Sequence, residues 1–386
     1  MNTNTKSILG IAVALIALVF VGYLIFDKNE TPATTTDKPQ SSEEATETIK
    51  IGFIGPLTGD VAFIGNNIKS AVEIAIEEIN DNNTFDRKFE VIYEDGVCNG
   101  KDATKSANKL LGVDKVDGII GGTCSGETLG IAPLVEQAKI PAVSPASTSP
   151  NISNAGDYVF RVVPSDSFQG AYAANAIKET FGKQNVAVIS CLNDWCQGVR
   201  KAFIDKFETI GNIVADEVFN VGDTDLRSQL AKIKQANPDA IYFIGQTTSS
   251  VSGIRQLSEL GLDNLLVMGA DAWSDSEIWE QLGKAGDGMI YSEPSNIDPP
   301  ERFVRKMSEK EKEINIYSAR GYDATYILAE ALANSSSGEE AKNLLYQVKD
   351  YKGIADTYTF DENGDIINAI YSLKEIKDGK ISDYGE

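Results

Sequence analysis

The chain contains no histidine in its 386 residues. Imidazole is the commonest general base near neutral pH and the commonest nitrogen ligand for metals, so its absence removes histidine-dependent triads and most zinc or iron centres from consideration. The one segment shaped like a nucleophile turn, Gly122-Thr123-Cys124-Ser125-Gly126, does not set its serine midway between the glycines and has no imidazole to draw on. A phosphate loop of the form Gly-x-x-x-x-Gly-Lys-Ser/Thr is also missing, and Gly55-Pro56-Leu57-Thr58-Gly59 lacks the spacing of a dinucleotide fingerprint, so no nucleotide cofactor is expected. Asp361-x-Asn363-x-Asp365 begins like a calcium loop, but Gly364 is two positions early and Ser372 stands where a bidentate Glu is needed; a hairpin turn is the better reading. No catalysis, cofactor or metal is expected.

Positive charge is scarce: 35 Lys and Arg face 57 Asp and Glu, a net charge of −22. Without a basic stripe, nucleic acid is excluded as a partner, and the acidity reads as a solvated surface. No cysteine precedes Cys98, which rules out acylation at an N-terminal thiol. Lys6 is followed by an apolar run from Ile8 to Phe26, about 28 Å long as a helix and close to bilayer thickness. Residues 1–26 are read as a membrane anchor in preference to a cleaved signal, because no small-residue cleavage site follows Tyr23. Residues 27–48, rich in Thr, Pro, Ser, Asp and Glu, are read as a disordered linker. Cys98, Cys124, Cys191 and Cys196 make an even count downstream of an export segment, which fits two disulfides; metal binding is the alternative, but the spacings are unlike those of zinc sites.

From Ile49 onward, short apolar runs alternate with segments of helical period, the pattern of parallel sheets wrapped by helices. Predicted strands include Ile49–Ile54, Phe89–Tyr93, Gly118–Ile120, Ile140–Val143 and Tyr158–Val163, then Val186–Ser190, Ile213–Phe219, Ala240–Ile244, Leu265–Met268 and Met289–Tyr291. Helices are predicted at Ile68–Ile79, Ala103–Leu111, Glu127–Ala138, Phe168–Phe181, Gly198–Phe207, Leu226–Gln235, Val251–Leu260, Ser276–Leu282, Ala324–Ala333 and near Glu339–Val348. The fold class is therefore α/β with two doubly wound lobes. Loops of small polar residues beyond the strand ends, Gly121–Gly126 and Ser144–Pro150, are the first site candidates, since open α/β sheets bind ligands there.

Several landmarks resemble the leucine/isoleucine/valine-binding protein family: Gly55-Pro56-Leu57-Thr58-Gly59 with a helix ending Ala75-Ile76-Glu77-Glu78-Ile79-Asn80, Glu94-Asp95 before Cys98, and Ile120-Gly121-Gly122 before Cys124-Ser125. Further on, Ser144-Pro145-Ala146-x-Thr148, Phe160-Arg161 and Asp166-x-x-Gln169-Gly170 continue the likeness across nearly the whole chain after residue 48. The resemblance implies a type I periplasmic-binding fold with three chain segments crossing a hinge. It implies lobe one from 49–166 plus about 293–360, and lobe two from 167–292 plus about 361–386.

It also implies a ligand and a partner: a small amino acid, branched-chain or otherwise neutral, captured by hinge closure and delivered to an ABC-type permease. A sensor subunit, or a binder of a short amide, urea or carboxylate, are the alternatives; the ectodomain is expected to be a monomer outside the cytoplasm. By match to the family, Ser125 and Thr148 hold the α-carboxylate, and the Ala146 carbonyl and Asp271 face the α-ammonium. Asp166 lies at the hinge side, and Ile64, Trp195, Gln246 and Tyr322 shape the side-chain pocket. Helix N-capping is the plain alternative for Ser125, Thr148, Asp166 and Asp271, and a partly buried loop aromatic for Trp195. Gln246 replaces a common aromatic with an amide that an aliphatic side chain leaves unpaired. Cys98 and Cys124 match the family's disulfide, and Cys191 and Cys196, bracketing Trp195, look like a local addition.

Overall fold

The computed structural model describes residues 48–295, 298–367 and 369–385. The expected anchor at 1–26 and nearly all of the expected linker lie outside the described residues. Among the described residues no helix is long and apolar enough to cross a membrane.

The first sheet holds five parallel strands in the order β2-β1-β3-β4-β5: β1 Ile49–Gly55, β2 Phe89–Asp95, β3 Gly118–Ile120, β4 Ala142–Ser144 and β5 Val159–Arg161. β1 is an interior strand and almost wholly buried, which is why its sequence runs nearly uninterrupted in apolar residues. Helices α1 Ala62–Asp81, α2 Gly100–Lys109 and α3 Ser125–Ala138 connect these strands, and α4 Asp166–Asn175 leads away from β5.

The second sheet contains β6 Asn185–Cys191, β7 Asn212–Phe219, β8 Ala240–Ile244, β9 Leu266–Gly269, β10 Ile290–Pro294, β13 Tyr371–Lys377 and β14 Lys380–Asp383, in the order β14-β13-β10-β9-β8-β6-β7. Its first five strands are parallel; β13 runs antiparallel to β10, and β14 antiparallel to β13. The connecting helices are α5 Asp194–Phe207, α6 Arg227–Ala236, α7 Thr247–Glu259 and α8 Ser276–Leu282. After β10 come α9 Glu301–Glu309, α10 Ser318–Ala333 and α11 Gly338–Leu345, then a small ribbon of β11 Tyr351–Lys352 and β12 Thr357–Tyr358.

This late segment packs on the first sheet. Ile327, Leu328, Leu332, Leu345, Tyr358 and Phe360 share one core with Ile51, Phe53, Val143 and Phe160. α2 and α3 cover the opposite face through Ala103, Ala107, Ile131 and Val135. The chain thus passes between the two bodies three times: after β5, after β10, and between β12 and β13. The predicted strands and helices all have counterparts, but α9 and β11 to β14 were not foreseen. Helices begin earlier than their apolar period indicates: α3 at Ser125 rather than Glu127, α5 at Asp194 rather than Gly198. A first turn has no need of buried side chains, so periodicity misses it.

Candidate functional site

In each sheet the strand order reverses once. The chain steps from β1 to β2 on one side and then to β3 on the other, and from β6 to β7 and then to β8. Loops diverge at such points and leave a crevice at the strands' carboxyl ends. The two crevices face each other and enclose a cavity of about 300 Å³, the small end of the range for ligand pockets. Pro56, Thr123 and Ser125 line it from the first switch point, Leu192, Trp195 and Gln246 from the second.

One wall is an array of donors. Ser125 opens α3, and its hydroxyl accepts from Ser149 N at 3.1 Å, which leaves its own proton free to be donated. The Thr148 hydroxyl is buried, lines the cavity and has no protein partner. The loop carrying Thr148 is held from behind by Arg161, which donates to the carbonyls of Thr148 and Ser149 at 2.9 Å each. With those carbonyls gathered inward, the other edge of the loop is left toward the cavity. Arg161, fully buried, is in turn gripped by Asp365 through Nε at 2.6 Å and Nη2 at 2.7 Å, a two-point pairing that holds the guanidinium in one orientation.

Glu127 performs a similar task beside Ser125. Its carboxylate accepts from the backbone N–H of Cys98, Thr123 and Cys124, each at 2.9 Å, so it joins the β2–α2 loop to the β3–α3 loop. The Cys98–Cys124 disulfide joins the same two loops. Burial pushes the Glu127 carboxyl up to about 7, against the pull of its N–H donors.

The floor is acidic. Asp166 and Asp271 are 0% and 1% exposed, and both Asp166 oxygens and Asp271 Oδ1 have no hydrogen-bond partner. Burial first, and then the facing charge of Asp271, hold Asp166 well above the usual carboxylate range; the charge of Arg161 counters this only in part. Burial also raises Asp271, although the Tyr317 hydroxyl donates to its Oδ2 and pulls the other way. No Lys or Arg is among the residues lining the cavity. Two desolvated carboxylates without a cation are costly, and a bound ammonium group relieves both.

The remaining wall is mainly apolar: Pro56, Val61, Ile64, Trp195 and Ala272, with the amide of Gln246 among them. The Cys191–Cys196 disulfide closes a short loop around Trp195. The two bodies also touch at the cavity's rim. Asp60, from the β1–α1 loop, accepts from the backbone N–H and the hydroxyl of Thr248 in the first turn of α7. Asp194 of α5 lies so near α3 that a Cβ added at Gly126 would stand 2.9 Å from its Oδ2.

Of the residues named from sequence, Ile64, Ser125, Ala146, Thr148, Trp195, Gln246 and Asp271 line this one cavity; Asp166 does not line it but is buried within reach of the Asp271 charge. None of the four capping alternatives is realised. The N-cap positions are Cys124 for α3, Ser165 for α4 and Ala270 for the short helix at Asp271, and Thr148 caps nothing. Tyr322 is a correction. It is buried between α1 and α9, its hydroxyl donating to Glu78 at 2.6 Å and its ring against Phe303 and Tyr326. The tyrosine at the cavity is Tyr317, just before α10. Five helical residues turn the chain by about 140°, which places the two rings on different faces. Tyr317, Arg161, Asp365 and Glu127 were missed as site residues; the only sequence signal was Arg161 within the Phe160-Arg161 landmark.

Comparison with known proteins agrees with this fold. The profile of the family described as "Periplasmic binding protein" matches residues 48–380. The "Leucine-, isoleucine-, valine-, threonine-, and alanine-binding protein" of Pseudomonas aeruginosa is 27% identical over 339 residues, 86% of this chain and 90% of that protein. A leucine-binding protein from Thermotoga maritima superposes with a TM-score of 0.79 at 29% identity, covering 88% of this chain and 98% of that one. A branched-chain amino acid transporter substrate-binding protein from Streptococcus pneumoniae, in complex with isoleucine, gives 0.79 at 25% identity, over 87% and 98% of the two chains. At 21% identity, an ABC-transporter solute-binding protein from R. palustris in complex with 4-hydroxybenzoate shares the fold, with a TM-score of 0.78 over 87% of this chain and 95% of that one.

Proposed function

This chain belongs to the periplasmic binding protein family, and from that premise we propose that it is the extracytoplasmic solute-binding component of an ABC-type importer. Its ligand in this reading is a small neutral amino acid, branched-chain or otherwise, or a close analogue. The observation that carries the reading is the opposition of chemistries in one cavity: its lining includes the hydroxyl residues Ser125 and Thr148 and the carboxylate of Asp271, with Thr148 Oγ1 and Asp271 Oδ1 both lacking a hydrogen-bond partner.

A zwitterion matches that opposition. Ser125 and Thr148 donate to its carboxylate without any Lys or Arg in the cavity lining, and the α3 N-terminus adds a favourable dipole. Its ammonium lies toward Asp271, with Asp166 behind and the Ala146 carbonyl to one side. The side chain fills the wall of Val61, Ile64 and Trp195. Capture begins on the first body, and closure brings Trp195, Gln246 and Asp271 over the ligand, with the Asp60–Thr248 contact holding the rim. The apolar run Ile8–Phe26 tethers the protein to the membrane beside its permease in this reading.

Thermal-shift screening of the purified protein against the amino acids, short amides, urea and aromatic acids tests the proposal. At a thousandfold excess over its dissociation constant, a true ligand adds about 4 kcal/mol to stability. One or more amino acids are expected to raise the midpoint. If only ligands lacking an ammonium group do so, 4-hydroxybenzoate for example, the assignment to amino acids is wrong. The two buried acids favour the amino acid.

A further inference from the structure

We propose that Gln246 makes this cleft select a neutral amino acid whose side chain carries a hydrogen-bonding group, a hydroxyl or a carboxamide, over the aliphatic side chain of the same shape. The inference rests on the amino-acid reading above and specifies its substrate class.

Gln246 follows β8 and occupies the N-cap position of α7, but its side chain makes no capping bond. The backbone carbonyl is fully employed, accepting from the Ser249 hydroxyl at 3.0 Å and from Ser250 N at 2.8 Å. The side-chain amide instead lines the cavity, and the residue is only 7% exposed. Its single hydrogen-bond contact among the described residues is a 3.8 Å approach of Nε2 to Cys98 Sγ. A disulfide sulfur is a weak acceptor, and the amide's carbonyl oxygen and second N–H are left without a protein partner.

Of the side chains sharing that wall, Pro56, Val61, Ile64 and Ala272 supply neither donor nor acceptor, and Trp195, whose indole offers a donor alone, makes no hydrogen bond to Gln246. A group that served only to stabilise the fold would be expected to find a partner within it, because a buried amide left unpaired is unfavourable. The partner of Gln246 therefore comes from the ligand. With the lobes apart, water solvates the amide. Closure on an aliphatic side chain strips that water and replaces it with nothing, whereas a hydroxyl or carboxamide restores the bond. Leaving one buried polar group unpaired corresponds to roughly tenfold to a hundredfold in affinity. A charged side chain fits less well: a carboxylate meets the acidic floor with no Lys or Arg in the lining, and Gln246 has no net charge to offer an ammonium.

Two shape-matched pairs, valine with threonine and leucine with asparagine, test this by calorimetric titration of the protein and of Gln246→Leu. On the unaltered protein the polar member of at least one pair is expected to bind tenfold or more tighter. In Gln246→Leu that preference disappears or reverses, and Gln246→Met, closer to the original length, serves if the leucine variant does not fold. Aliphatic members binding as tightly as their polar counterparts would overturn the inference while leaving the amino-acid reading intact. So would a polar preference that survives both substitutions. Failure of every amino acid to bind overturns the reading beneath it as well.

Discussion

Asp271→Asn is the most informative single change. The substitution keeps the shape of the side chain and an oxygen able to accept from Tyr317, but removes the charge that faces the cavity. Breaking a fully buried charge pair by removing one partner costs about 3–5 kcal/mol. At about 1.4 kcal/mol per tenfold, the variant should bind its amino acid roughly two to three and a half orders of magnitude more weakly. Stability should move the other way. Asp271 and Asp166 both have folded-state pKa values raised by burial, so above the ordinary carboxylate range the folded state holds protons that the unfolded chain has released. Such groups favour folding below that range, and their contribution is lost as pH rises through the raised values. At pH 7 the ligand-free variant should therefore melt no lower than the parent. Calorimetry in two buffers of different ionisation enthalpy adds a second readout. The parent should release protons when the ammonium enters, because a cation lowers both carboxyl pKa values, and the variant should release fewer. A variant that binds within threefold of the parent, with the same proton count, would refute the role given to the acidic floor.

Three further outcomes are expected. Ligand-free Asp166→Asn should melt above the parent at pH 7–8, with the gap closing as the pH falls below the ordinary carboxylate range, where the acid becomes protonated in the unfolded chain as well; a constant gap across that range would contradict the sign derived from its raised pKa. Arg161→Lys loses the two-point grip on Asp365 and the gathered carbonyls of Thr148 and Ser149, which should lower stability in urea by about 3–5 kcal/mol and weaken ligand binding together. Asp60→Ala removes the rim contact with Thr248; being solvent-exposed, that contact contributes about 1 kcal/mol, so ligand dissociation followed by Trp195 fluorescence should accelerate about fivefold while the melting midpoint stays put.

The parallel strands were legible because both of their faces are buried. Runs such as Val186–Ile189 and Ala240–Ile244 read as apolar without interruption, and the structure buries every one of their residues. The elements that escaped are those whose burial is partial. α9 sinks only Phe303 and Met307, and β13 mixes polar and apolar residues while pairing with β10, whose Ile290 lies 85 residues before its partner Glu375. The polar first turns escaped as well, and they are where the site lies: Ser125, Asp166, Asp194 and Trp195 all stand in first turns whose helices the hydrophobic period begins later.

Composition and local pattern were enough to exclude histidine chemistry and nucleotide loops, to lay out the order of strands and helices, and to supply short hydroxyls and carboxylates at strand ends. Those properties are carried by neighbours along the chain. Which hydroxyl meets which acid is not. Tyr317 reaches Asp271 across 46 residues and Arg161 reaches Asp365 across 204, separations bridged by strand order and by three crossings between the bodies. The missing partners of Asp166, Asp271 and Gln246 arise the same way, since desolvation belongs to the packed molecule rather than to any residue within it. That is why the presence of Ser125 in the cavity, and of Tyr317 there rather than Tyr322, depends on how the folded chain is packed.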